Sequence, residues 1–378
     1  MTKAKNLALL IALFASVTLP LHAGDGKSYL STLRRQKTLV STIPQNGDLN
    51  PYAILVAPVS AGKIHQGDVL IDNFNGLSNL QGTGTTIVIY SPGSKKLTTL
   101  IDLPKKHPEC PGGVGLSTAM TMLQSGWIIV GSAPSTDGTT RTLGAGCLMV
   151  VDPEGKLVAT WAGPNIAAPW GNMAVVDHGN TAQLFISMSG FDVPGPQVRD
   201  ERGYPVTVKK ATVLRLDLTI PEGKPPVITA QTVVGDGFSQ RADRDVFLIG
   251  PTGLALGADG TLYVSDALAN QIDAIPDAKT RTTSAGTGRV VTKDGLLRRP
   301  LAMAMAPNGN LLITNAKNGQ VVEINPVSGE QLAAQWINNN PAQFPPGNGN
   351  LFGLAMKADG SGFYFVADDE NTLMEASR

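Results

Sequence analysis

Short runs of β-branched, aromatic and aliphatic residues recur along the chain, each cut off by Gly, Pro, Asn or Asp: residues 69–72, 127–130, 184–187, 262–265, 311–314 and 363–366. Runs of this length and composition predict strands. Most follow a polar residue and a Gly, as in Ser125-Gly126, His178-Gly179, Asp259-Gly260, Asn308-Gly309 and Asp359-Gly360. Gly supplies the positive φ that a tight hairpin turn needs, so each pair predicts a turn into the strand that follows.

The pattern repeats. Small residues Gly253, Ala302 and Gly353 stand at matching places before the last three turns, 49 and 51 positions apart, a period typical of propellers. Weaker copies start at Ala119 and Asn172, and a sixth near Ala53. Third strands are expected at 86–90, 147–151, 213–217 and 321–325, and fourth strands at 97–101, 157–161, 227–231, 290–292 and 332–336. The last copy runs out after a third strand at 372–376, while residues 37–43 precede the first copy with nothing of their own to pair with. Pairing the two closes the ring and leaves only short protected edges. The expected fold is all-β: a six-bladed β-propeller in one domain, residues 37–378, its last blade closed by an N-terminal strand. A β-solenoid, with coils of roughly 20 to 30 residues, does not match this period.

The stretch Gly250-Pro-Thr-Gly-Leu-Ala, continuing to Asp266 and Asn270, resembles an NHL repeat, whose pattern opens Pro-x-Gly-apolar and ends a strand in Asp with Asn soon after. Asn315 with Asn318, and Asp368 with Asn371, carry the same likeness into the last two copies. The wider superfamily that the chain is similar to includes gluconolactonase-like hydrolases, streptogramin-lyase-like enzymes and non-enzymatic binding scaffolds. Fold likeness does not choose among them.

In a propeller the second strands end around one opening. Here those ends are Asn73, Ser132, Ser189, Asp266, Asn315 and Asp368. Oxygen-bearing side chains suit a hard cation such as Ca²⁺, with Asn73, Asp266, Asn315 and Asp368 as candidate ligands. The competing reading is that short polar side chains cap the strand ends and satisfy turn amides. A lactonase-like site also implies a Glu, and none stands in this ring. A lyase-like site implies histidines at this mouth, yet His65 and His178 fall in or beside first turns at the opposite opening, leaving His107 alone. Arg241, in the polar patch 240–244 that should overhang the mouth, is a candidate contact for an anionic ligand, with pairing to Asp243 or Asp245 as the plainer alternative. Trp170 is a candidate stacking surface or an inter-blade packing residue. An insertion at 190–210, carrying Arg199, Asp200, Glu201, Arg202, Tyr204, Lys209 and Lys210, lengthens the third copy and predicts a lid or docking flap on the mouth side. No Gly-x-Ser-x-Gly, Walker or His-Glu-x-x-His motif is present.

Composition adds the setting. Lys3 and Lys5 precede an apolar run at 7–19 and a small-residue site ending at Ala23, which reads as a secretory signal peptide, residues 1–23, followed by an extension at 24–36. The run is too short for a bilayer span of about 20 residues, so a periplasmic or secreted protein without a membrane anchor is expected. In an oxidising compartment Cys110 and Cys147, the only cysteines, should join in one disulfide. Thirty basic and thirty acidic residues leave no net charge, which argues against nucleic acid as partner. The expectation is a monomeric scaffold binding a small molecule or a protein partner at its mouth. The alternative is a Ca²⁺-dependent hydrolase or lyase.

Overall fold

The computed structural model describes residues 28–349 and 351–378. Six antiparallel sheets form six blades, each strand pairing with the next in sequence. Blade one comprises Leu49–Val56, Val69–Asn75, Thr86–Ser91 and Lys96–Asp102. Blade two runs through Leu116–Met122, Ile128–Ser132, Cys147–Val151 and Leu157–Trp161. Blade three holds Pro169–Asp177, Thr181–Met188, Val208–Thr219, the 17-residue strand Val227–Asp243 and a short fifth strand, Phe247–Ile249. Blade four is Pro251–Leu256, Leu262–Asp266, Gln271–Ile275 and Arg289–Lys293. Blade five is Pro300–Met305, Leu311–Asn315, Gln320–Ile324 and Gln331–Trp336.

Blade six has only Leu354–Met356, Gly362–Ala367 and Thr372–Ser377 from the C-terminal end of the chain, and Arg35–Ser41 completes it. Arg35 pairs with Ser377 and Ser41 with Thr372, antiparallel, with a bulge between Thr38 and Val40. The closing strand thus begins two residues before the expected segment, and Thr42 and Ile43 lead away from it toward the mouth.

Turn chemistry and alternation explain the blades. Gly260 and Gly309 sit at φ 85° and 81°, the conformation their polar-Gly turns require. Central strands are buried on both faces because each blade is covered by its neighbours. Ile87, Ile89, Met120 and Met149 pack together between blades one and two, and Phe185, Val213, Leu254 and Val264 between blades three and four. Each such fully buried side chain contributes roughly 1.5–3 kcal/mol.

Two further ties complete the molecule. Cys110 and Cys147 form a disulfide, with Cα atoms 5.2 Å apart, linking the blade one to blade two connection to a third strand. On the opposite side, the fully buried Glu323 carboxylate accepts from the Ser28 hydroxyl and from the Tyr29 and Leu30 amides, at 2.7, 2.8 and 2.9 Å. Asn308 and Asn310 donate to the same group, so Glu323 holds the segment ahead of the closing strand against blade five. The signal-peptide reading falls on residues outside those described.

Candidate binding face at the propeller mouth

First strands of all six blades line the axis. Ala53, Thr118, Asn172, Thr252, Ala302 and Gly353, one from each blade, surround a space of only about 10 Å³. Asn172 reaches across it: its Nδ2 donates to the Leu254 and Met303 carbonyls, and its Oδ1 accepts from the Met303 amide. The channel is therefore closed at mid-depth by side chains.

Asn73, Ser132, Ser189, Asp266, Asn315 and Asp368 do sit at the ends of the six second strands, and all are buried. Most are spent on backbone. The Ser132 hydroxyl accepts from the Gly115 amide and donates to the Gly113 carbonyl, while that of Ser189 donates to the Pro251 carbonyl. Asn315 accepts from the Arg298 amide and donates to the Leu296 carbonyl. Asp266 accepts from the Ala269 amide, and Asn73 donates to the Thr42 carbonyl. Unpartnered oxygens remain on Asn73 and Asp368, Oδ1 in each case. Burial raises the pKa of Asp266, and that of Asp368 well above the usual range, with the Asp369 charge adding to the latter. Most polar atoms of the ring are thus engaged by backbone groups, as strand-end caps are. Among the described residues, no three His, Cys, Asp or Glu side chains gather as a ligand set.

Alternation along a strand explains what occupies the centre instead. One step past the ring stand Phe74, Ala133, Ala267 and Ala316, which join one apolar cluster with Tyr52, Trp170, Phe247, Leu301 and Phe352. Tyr52 is stacked between Phe74 and Phe352, with ring centroids at 4.4 and 3.8 Å. Trp170 meets Tyr52 and Phe74 edge-on at 6.1 and 5.6 Å, which makes it a packing residue of this plug, 1% exposed. The Tyr52 hydroxyl is buried with no partner.

Phe247 comes from elsewhere. Blade three's fourth strand overshoots its sheet and turns back, Arg241 pairing with Ile249 and Asp243 with Phe247. The hairpin lays Val246, Phe247, Leu248 and Ile249 into the central cluster. Phe247 packs edge-on against Phe74 at 5.4 Å and adopts φ 66°, a left-handed conformation that costs a bulky residue about 1–2 kcal/mol. Side chains fasten the hairpin to other blades: Asp243 to Arg299 at 3.1 Å, Asp245 to Lys317 at 3.0 Å, and Gln81 to the Arg244 carbonyl at 3.3 Å. Arg244 pairs with Asp245, whereas Asp243 takes Arg299 and not Arg241. Arg241 lies beneath the 190–210 insertion, its guanidinium 5.4 Å from the centre of the Tyr204 ring.

That insertion folds on itself. Asp200 accepts from the Tyr204 and Arg202 amides, and Lys210 pairs with Asp192. Tyr204 and Val198 stay exposed. Ile43, Leu77, Leu80, Leu296 and Phe344 are exposed in other loops of the same face, Leu77 at 73% and Phe344 at 93%. His65 and His178 lie in first turns on the opposite face. His65 there lines a groove of about 650 Å³ with Asp68, Lys357 and Tyr364, where Lys357 is held by Glu375 at 2.6 Å.

No family model matches the chain, and no curated protein does. Solved structures match along nearly its whole length. A gluconolactonase from Xanthomonas campestris is 14% identical, the match covering 92% of this chain and 91% of that one with a TM-score of 0.54. The PQQ-bound form of an aldose sugar dehydrogenase from Streptomyces coelicolor is 16% identical, with 91% and 98% covered and a TM-score of 0.52. A calcium-binding protein, regucalcin, from Agrobacterium tumefaciens is 13% identical, with 90% and 93% covered and a TM-score of 0.50. The chain has the six-bladed propeller fold of these structures. At such low identity these likenesses show the fold and leave the activity to be argued from the site.

Proposed function

We propose that this is an exported, non-catalytic scaffold that docks a protein partner on its mouth face. The observation carrying this reading is that seven of the twelve exposed large apolar side chains among the described residues lie in loops of that face, the others being Val175, Val227, Val290 and Trp336 on strands and Val327 in an opposite turn. Ile43, Leu77, Leu80, Val198, Tyr204, Leu296 and Phe344 all belong to loops of that face, around a centre filled by stacked rings. Apolar groups rimming one face of a monomer mark an interaction surface, and a filled channel leaves little room for a small substrate at the axis. The spent hydrogen bonds of the strand-end ring support a capping role over a catalytic one.

Photo-crosslinking tests it. A photoreactive residue at Leu77 or Phe344 should trap the same protein in the exporting cell, while one at Val327, exposed on the opposite face, should not. With the trapped protein purified, Leu77→Asp and Phe344→Asp should each weaken the complex at least tenfold. Equal trapping from both faces would overturn the proposal. Turnover of lactones or esters that is lost on chelation would do so in favour of a metal-dependent hydrolase.

A further inference from the structure

Beside the insertion, the third and fourth strands of blade three, Val208–Thr219 and Val227–Asp243, depart from regular pairing. Val208 faces Gln240 and Ala211 faces Phe238, so Lys209 and Lys210 stand together opposite Ser239. Val213 faces Gly235, so Thr212 stands opposite Asp236 and Gly237 together. Each is a bulge, which interrupts the alternation of a strand and re-aims its side chains. Gly237 takes φ 76° there. The result is a groove of about 530 Å³ between the two feet of the insertion, lined by both lysines, Thr212 and Asp236, and by Phe191 and Val233. Phe191 and Val233 also pack on the apolar layer between blades two and three, with Val150 and Leu214, and so give the groove an apolar wall. A space of this size suits a small ligand.

The charges of the groove are unequally spent. Lys210 pairs with Asp192, which is also in the wall. Among the described residues, exposed Lys209 makes no ion pair, and exposed Asp236 accepts only from the Ser284 hydroxyl, at 2.8 Å. The Thr212 hydroxyl oxygen is buried without a partner. Buried polar atoms are nearly always paired, so this one points to a group that the chain does not supply. A cation, an anion, an orphan hydroxyl and an apolar wall in one groove are complementary to a small zwitterion with an apolar body.

We propose that the groove binds a free α-amino acid with an apolar side chain, its carboxylate at Lys209, its ammonium at Asp236 and Thr212, and its side chain on Phe191 and Val233. Asp236 and Thr212 face one another across a bulge and receive the ammonium together. Lys209, further along the ladder on a flexible four-carbon stem, takes the carboxylate. The inference does not depend on a protein partner at the mouth.

L-Phenylalanine and L-leucine are the probes, and binding is followed by calorimetry. Three analogues each lack one element: 3-phenylpropionate the ammonium, 2-phenylethylamine the carboxylate, and glycine the side chain. Each should bind about tenfold more weakly than L-phenylalanine, the worth of one charge-assisted contact or of a few buried methylenes. Lys209→Met should weaken L-phenylalanine about tenfold and leave 2-phenylethylamine unchanged. Asp236→Asn should weaken it as much and leave 3-phenylpropionate unchanged. A merely structural change would not give that crossed pattern, and both residues are exposed, so both variants should fold. Thr212→Val should weaken L-phenylalanine without lowering the thermal midpoint. No heat from either amino acid at millimolar concentration, an analogue that binds as well as L-phenylalanine, or affinity indifferent to both Lys209→Met and Asp236→Asn would overturn the site. None of these results touches the trapping measured at Leu77 and Phe344, so the two proposals fail separately.

Discussion

Tyr52 and Phe352 stack face to face, centroids 3.8 Å apart and planes 14° from parallel, although three hundred positions separate them in the chain. They belong to blades one and six, so this contact joins the two ends of the ring at its core while the closing strand joins them at the rim. Tyr52→Ala should cost about 3–5 kcal/mol in urea unfolding, as large aromatic truncations in cores do. Tyr52→Phe should stabilise by about 1 kcal/mol, because it keeps the stack and removes a buried hydroxyl with no partner. A loss of stability on Tyr52→Phe would mean that the hydroxyl is satisfied in solution.

Glu323 gathers five donors, two of them main-chain amides from the start of the described chain. Burial works to raise its pKa, but the hydrogen bonds from Asn308, Asn310, Leu30 and Tyr29 outweigh burial and hold it below the usual carboxylate range. Its stabilisation is therefore complete above the ordinary Glu value near 4.3 and fades as pH falls through the lowered one. Glu323→Gln should cost about 2–4 kcal/mol at neutral pH and release the N-terminal segment to protease, read by mass.

Asp72 and Asp273 behave oppositely. Burial raises Asp72 to about 8 against the amides of Ala53 and Tyr52. It raises Asp273 to about 7, the Gln271 hydrogen bond opposing and the Asp266 charge adding. Each folded-state acid keeps a proton that the unfolded chain has lost above about pH 4, so stability falls as pH rises from there and levels off beyond the raised values. Asp72→Asn and Asp273→Asn should each flatten that decline, Asp72→Asn up to about pH 8 and Asp273→Asn up to about pH 7, in thermal melts across the range. A melt whose slope neither variant changes would refute the assignment.

The Cys110–Cys147 bridge spans 37 positions. Closing a loop of that size in the unfolded chain is worth about 4 kcal/mol on the chain-entropy account. Reduction, or the pair Cys110→Ala and Cys147→Ala, should lower the denaturant midpoint accordingly and loosen the loop between blades one and two.

Much of this architecture could be read from residues. The turn glycines Gly260 and Gly309, the spacing of Gly253, Ala302 and Gly353, and the unpaired segment near Lys37 led to the blade count and its closure, because local turn chemistry repeats blade by blade. The centre was harder. Asn73 and Phe74 are neighbours on one strand and face opposite ways, so a list of polar strand ends does not say which side chain meets the axis. Trp170 reads from sequence as either a stacking surface or a packing residue, and only the folded chain places it among Tyr52, Phe74 and Phe247, 1% exposed. The hairpin bearing Phe247 escaped because strand Val227–Asp243 runs on past its sheet, and only tertiary contact sends 246–249 inward. Glu323 did leave a trace, a lone acid in the apolar run Val321-Val-Glu-Ile, but three of its five partners, Ser28, Tyr29 and Leu30, lie 293 to 295 residues away and nothing local points to them.

Because Arg35–Ser41 is laid beside Thr372–Ser377, the first of the described strands to leave the ribosome must wait for the last of them before it has anywhere to lie. The circle is a hoop rather than a row. A single nick in a loop leaves both halves gripped by their neighbours on either side, whereas losing Arg35–Ser41 strips blade six of its outer edge and unlatches the hoop where its two ends meet.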